Sequence, residues 1–269
     1  MVNGNYTFMV SRLREQIKKD SSIKEFSRVY DEYNKFLQKY CPNNANGHTF
    51  LYRSNVRSNP VKRFVLRYVL QDKNVLELGI GDGTVSGTLA HKANHVVGVD
   101  VSQFIVKSAK ERYKGIEAFG IRWMDARHLD LSPDFFDYVI GLDLVEHLPF
   151  EDIHLHIMEV NKVLKNGGIY LIWTVLKCMN EKEEDLHLKV YSLKELAGLL
   201  EQSGFEVTLY DVRFILFNKI VRIPRVLNRA IFFYEKLLHT TNLAKLFKKV
   251  DYLKWLIMPP CIIEARKVK

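Results

Sequence analysis

The stretch Val75-Leu76-Glu77-Leu78-Gly79-Ile80-Gly81-Asp82-Gly83-Thr84 decides how this chain is read. Val75 to Leu78 form a short apolar strand, and the three glycines that follow make a turn opening a helix to about Lys92. Glycine at such a turn lets backbone approach a bound ligand where any side chain would collide. The next strand, His95-Val96-Val97-Gly98-Val99-Asp100, ends on a carboxylate 21 residues after Gly79. An acidic side chain at that place can accept hydrogen bonds from both hydroxyls of a ribose. A dinucleotide site shares this layout, but its fingerprint is G-x-G-x-x-G, with the third glycine where Thr84 stands here. This chain has G-x-G-x-G, preceded by Glu77, and it lacks the lysine of a phosphate loop.

Strands and helices alternate after this turn. Ser102 caps a helix to about Tyr113, Phe136 to Leu142 read as a strand, and a helix from near Pro149 reaches Leu164. Asn166-Gly167-Gly168 turn into the strand Ile169 to Trp173. Ser192 caps a helix that Gly204 stops, and Phe205 to Tyr210 form another strand. This βαβα order predicts an α/β fold with a doubly wound, mostly parallel sheet. Before the turn, Ser22-Ile23-Lys24-Glu25 read as a capping box, and Phe26, Val29, Tyr30, Tyr33, Leu37 and Tyr40 fall on one helical face. The loop Cys41 to Gly47 ends that helix, and Asn59-Pro60 start a second one.

A chain of 269 residues buries one sizeable core. With 47% hydrophobic and 26% charged residues it is globular and not disordered. No apolar run reaches the length of about 18 residues that a membrane span needs. Met1 to Tyr6 lack the layout of a signal peptide, and Cys41, Cys178 and Cys261 match no disulfide or zinc spacing. A cytoplasmic protein with reduced thiols and no metal is expected. The net charge of +9 is unevenly spread: 14 Lys/Arg against 6 Asp/Glu in residues 1–74, 13 against 21 in 75–210, and 13 against 4 in 211–269. An acidic centre between basic ends suits a core with additions that face an anionic partner; lysines placed only for solubility give the same numbers.

Several segments together resemble the class I S-adenosylmethionine (SAM)-dependent methyltransferases. Val75 to Thr84 resemble motif I of that family, and Val97-Gly98-Val99-Asp100-Val101-Ser102 the segment after it. Trp123-Met124-Asp125-Ala126-Arg127-His128-Leu129 are similar to its adenine-pocket stretch, and Phe136 to Ile140 and Leu164 to Ile169 to its fourth and fifth strand motifs. The resemblance implies a Rossmann-like sheet of seven strands, with N-terminal helices and a helical insertion before the last strand. The implied division is a helical appendage at 1–61, a SAM-binding core at 62–212, a basic insertion at 213–260 and the final strand at 261–269. It also implies roles. Gly79, Gly81 and Gly83 would lie under the methionine part of SAM, and Glu77 would support the loop or the amino group. Asp100 would hold the ribose, Val101 would pack on adenine, and Asp125 with the backbone of Ala126 would take the adenine amino group. Leu142 and Asp143 would lie near the methionyl end. The competing structural roles are a tight turn for the glycines and a helix cap or surface position for the two aspartates.

Methyl transfer from a sulfonium is an in-line displacement, so alignment matters most, and a base is needed only where the acceptor carries a proton. Asp143-Leu144-Val145-Glu146-His147-Leu148 follow the fourth strand at the carboxyl end of the sheet, where open α/β proteins bind ligands. This segment resembles the Glu-His-Leu of ubiquinone-pathway-like small-molecule methyltransferases. Histidine changes charge near neutral pH, which makes His147 the general-base candidate; anchoring the next helix is its structural alternative. The resemblance puts His187 and Tyr191, before the capping Ser192, beside an acceptor pocket. An Asn-Pro-Pro-Tyr-like motif is absent after the fourth strand, which counts against methylation of DNA adenine or of glutamine amides.

Val226 to Leu238 and Leu243 to Val250 suggest amphipathic helices in the insertion. They suit a lid over the acceptor pocket, a dimer contact or a peripheral membrane contact through 213–260. The expected activity is methyl transfer to oxygen of a small or lipid-linked acceptor. N- or C-methylation of a sugar or natural product, and a silent SAM-binding scaffold, are the alternatives. No nucleic acid partner is favoured, and the sequence does not set the oligomeric state.

Overall fold

A computed structural model describes residues 2–40, 59–176, 186–211, 221–224, 227–241 and 261–268. Strand β1 (Asn74–Leu78) is central, because its side chains are apolar on both faces. Val75 joins the core on one side of the sheet, and Leu76 and Leu78 join the core on the other. β2 (His95–Asp100) and β4 (Phe136–Leu142) flank β1 in parallel, with β3 (Phe119–Trp123) outside β2 and β5 (Leu164–Trp173) outside β4. β8 (Cys261–Lys267) lies antiparallel between β5 and β6 (Phe205–Asp211). The full order is β3-β2-β1-β4-β5-β8-β6-β7.

The sheet therefore has eight strands, where seven were expected. The extra one, β7 (Val221–Ile223), pairs antiparallel with Leu209 to Asp211 and extends the edge of the sheet. It falls within the stretch expected to be helical. The first helix expected there is present as α8 (Asn228–Thr241), while Leu243 to Val250 lie outside the described residues, as do Cys41 and Cys178.

Helices cover both faces. α3 (Pro60–Tyr68), α4 (Thr84–Leu89) and α5 (Gln103–Arg112) bury Phe64, Val85, Leu89 and Val106 on one side. α1 (Val2–Lys19), α2 (Ile23–Tyr40), α6 (Ile153–Val163), α7 (Leu193–Gln202) and α8 pack on the other. The caps read from sequence form: Asn59 Oδ1 accepts from Lys62 N at 2.9 Å, Ser102 Oγ from Ile105 N at 3.2 Å, and Ser192 with Glu195 makes a full capping box. At α2 only half a box forms. Ser22 Oγ accepts from Glu25 N, but Glu25 pairs with Arg28, and Asp20 takes the Ser22 N–H instead. Among the described residues no helix is long and apolar enough to cross a membrane.

Candidate active site

The glycine turn is held against β2. Gly79 N and Ile80 N both donate to the Val99 carbonyl, at 2.9 and 3.1 Å. Gly79, Gly81 and Gly83 all have positive φ, a conformation that L side chains rarely take. Their surroundings differ. A Cβ on Gly81 would meet nothing within 4 Å, so this peptide faces open space in a cleft. A Cβ on Gly83 would press 2.6 Å from the Tyr113 ring, so packing demands that glycine, which does not line the cleft.

Glu77 also lies away from the cleft. Its carboxylate accepts from the Ser86 N–H at 2.9 Å and from the Ser86 hydroxyl, tying β1 to α4. Of the two roles expected for it, these contacts support the loop. Burial pushes its carboxyl up from 4.5 to about 7. A raised carboxyl pKa gives stability that is complete below the unfolded value and lost as pH rises through the folded one. In chemical denaturation from pH 4.5 to 7.5 the stability of the wild type relative to Glu77→Gln should therefore fall by up to about 3 kcal/mol, the titrations of Asp100 and His156 being common to both proteins.

Asp100 closes the opposite wall. Its carboxylate accepts from Gly81 N at 3.3 Å and Ser102 N at 2.9 Å, and burial raises it to about 6. Val101, Asp125 and Ala126 line the same cleft. Asp125 is placed by Arg127, whose guanidinium meets it at 2.6 Å and reaches Asp152 at 2.5 Å. The Ala126 carbonyl is met by His156 Nδ1 at 2.9 Å, and His156 Nε2 meets the Tyr170 hydroxyl at 2.9 Å. Burial lowers His156 to about 4, so its ring is neutral and acts as a brace. Arg127 and His156 were not singled out from sequence; both act across distances that no local pattern records.

The third wall is α2. Phe26, Tyr30, Tyr33 and Asn34 project into the cleft. Asp31 anchors the helix by accepting from the Ser102 hydroxyl at 2.7 Å and Phe104 N at 3.0 Å. Trp123 Nε1 reaches Ser27 Oγ at 3.2 Å, and Arg127 donates to the Ser21 carbonyl at 2.9 Å. A lid was expected from 213–260; among the described residues it is α2 that covers the cleft. With α2 seated the cleft holds about 170 Å³, less than the roughly 300–1,000 Å³ of ligand pockets.

His147 also lines the cleft, from a short 3₁₀ turn after β4. Its Nδ1 lies 2.8 Å from the Leu186 carbonyl, which can only accept, so Nδ1 carries the proton and Nε2 of the neutral ring is the acceptor. Tyr30 donates to the His147 carbonyl at 3.3 Å, and the His187 ring sits 4.9 Å from the His147 ring. Asp143 lines the cleft, whereas Leu142 is buried in the core beside it. His187 and Tyr191 do not line it; Tyr191 is fully buried. Glu146, His147 and His187 bring a carboxylate and two imidazoles within 4.8 Å of one another, a grouping that sequence spacing does not reveal. Glu146 accepts from Thr174 Oγ1 at 2.8 Å.

A turn of bare backbone facing a carboxylate one strand away is the geometry of a nucleoside site, and residues 75–168 match the family described as "Methyltransferase domain". These residues are a methyltransferase domain. The domain is similar to a "probable S-adenosylmethionine-dependent methyltransferase" of Mycolicibacterium smegmatis, 30% identical over 140 residues, which are 50% of this chain and 52% of the relative. It is also similar to a ubiquinone biosynthesis O-methyltransferase of Pelagibacter ubique, 28% identical over 167 residues, 58% of this chain and 65% of that one. The chain thus spans between about half and two thirds of these relatives. Among solved structures the chain shares its fold with the [4+2]-cyclase SpnF, at a TM-score of 0.61 and 18% identity over 90% of this chain and 97% of that one. The class I resemblance drawn from the sequence holds for the domain and its sheet.

Proposed function

We propose that this cleft binds SAM and that the chain transfers the methyl group to an oxygen of a small or lipid-linked acceptor. One observation carries the reading: the open side of Gly81, the Asp100 carboxylate and His147 share one cleft. The residues fit the cofactor. Asp100 is a partly desolvated carboxylate, and a ribose with two hydroxyl donors supplies hydrogen bonds that such a group needs. Asp125 and the Ala126 backbone would take the adenine end, Val101 would pack on its ring, and Asp143 with the Gly79–Gly81 turn would lie along the methionyl end.

Bound SAM supplies an electrophilic methyl group with its leaving group already in place. The protein's share is alignment and dryness. Tyr30, Tyr33 and Phe26 close over the cleft and exclude water. His147, proton fixed on Nδ1 by the Leu186 carbonyl, offers Nε2 to accept the proton of an acceptor hydroxyl. The similarity to the Pelagibacter O-methyltransferase supports oxygen as the target.

Incubation with methyl-labelled SAM and fractionated cell extract tests the proposal. Label is expected in a product that survives acid and mild base, and its partition into organic solvent marks a lipid-linked acceptor. SAM binding without any labelled product across all fractions would remove methyl transfer.

A further inference from the structure

The outer face of α8 is apolar, cationic along one edge, and unused by the cleft. Its inner face fixes the rotation of the helix. Leu238 and Glu235 are buried, Ile231 and Phe232 pack against the core, and both Glu235 oxygens accept from the Leu193 N–H, at 3.0 and 2.8 Å, at the start of α7. The opposite face therefore points outward as a matter of geometry. It carries Ala230, Phe233, Tyr234 and Leu237 at helical spacing, with Leu227 just before the helix. Phe233 is 68% exposed, Leu237 42% and Leu227 48%.

At 100° per residue these five side chains fill about one third of the circumference, and the exposed Arg229 and Lys236 lie together along one border. The acidic residue of the helix, Glu235, is turned inward, so the charge presented outward is positive. We infer that this face docks on an anionic lipid surface, with Phe233, Tyr234 and Leu237 entering the headgroup boundary and Arg229 and Lys236 meeting lipid phosphates. A second copy of the chain suits the face poorly. A two-fold contact centred on the stripe would bring two Arg229 and two Lys236 together with no outward carboxylate on α8 to offset them. A bilayer supplies apolar depth and negative charge together.

The inference stands apart from the cofactor reading, because vesicle retention needs no turnover. The purified full chain is sedimented with phosphatidylcholine vesicles, with and without phosphatidylglycerol. Retention is expected to be about tenfold or more stronger with the anionic lipid. It should be lost in Phe233→Asp/Leu237→Asp and sharply reduced in Arg229→Glu/Lys236→Glu. Thermal unfolding, followed by circular dichroism, should match the wild type in both variants and shows that they fold. Equal retention on neutral and anionic vesicles, or no retention, overturns the inference. So does wild-type retention by the folded charge-reversal variant, or a solution dimer that Phe233→Asp/Leu237→Asp dissolves.

Discussion

Asp100→Ala is expected to weaken SAM binding by at least about a hundredfold, read by calorimetry. Two hydrogen bonds from ribose hydroxyls to a carboxylate are worth about 1.5–3 kcal/mol each, and both would be lost together. The same carboxylate accepts from Gly81 N and Ser102 N, so its removal also takes away one of the contacts between the turn and β2. A pH series gives an independent check. Asp100 is raised to about 6 in the free protein, and the ionised form is the better ribose acceptor. Affinity should therefore climb as pH rises to about 6 and level off above it, with a loss of up to about tenfold per unit below. Asp100→Asn should bind weakly without that pH dependence. Unchanged binding by Asp100→Ala would take this residue out of the site.

His147→Ala should lose about 10²–10⁴ of turnover, as expected for removal of a positioned base. SAM affinity should stay within about twofold, since the proposed role of the ring is to take the acceptor's proton and not to hold the ribose or the adenine. Turnover is measured on the acceptor that the labelled-extract experiment supplies. A loss of affinity equal to the loss of turnover would make His147 a wall of the pocket and not a base. Full activity would end the assignment. The Leu186 carbonyl matters to this prediction because it holds the ring in the tautomer whose Nε2 is an acceptor.

Features written in short runs of residues were legible from sequence. The turn after β1, the carboxylate ending β2 and the caps at Asn59, Ser102 and Ser192 each depend on neighbours within a few positions, and each stands where the pattern placed it. Three elements were not legible. α1 carries Gly4 and few apolar residues, and becomes ordered by burying Met9, Val10, Leu13 and Ile17 against α2 and the core. β3 has only Phe119 and Ile121 buried, and β7 is three residues long and exists through its pairing with β6. Within the site, Gly83 and Glu77 carried the right residue types for reasons of packing: the Tyr113 ring and the Ser86 amide. The contribution of α2 was hidden for another reason. Tyr30 and His147 touch across 117 positions, and an amphipathic face does not declare what it covers.

β8 runs antiparallel between β5 and β6, although residues 261–267 follow β6 by some fifty positions. A polypeptide leaving the ribosome must therefore expose the unpaired rims of Ile169–Ile172 and Phe205–Asp211 until residue 267 has emerged. During that interval the half bearing the glycine turn can mature alone, while the half bearing β6 waits for its partner. Chaperone occupancy of the nascent chain would concentrate in that window.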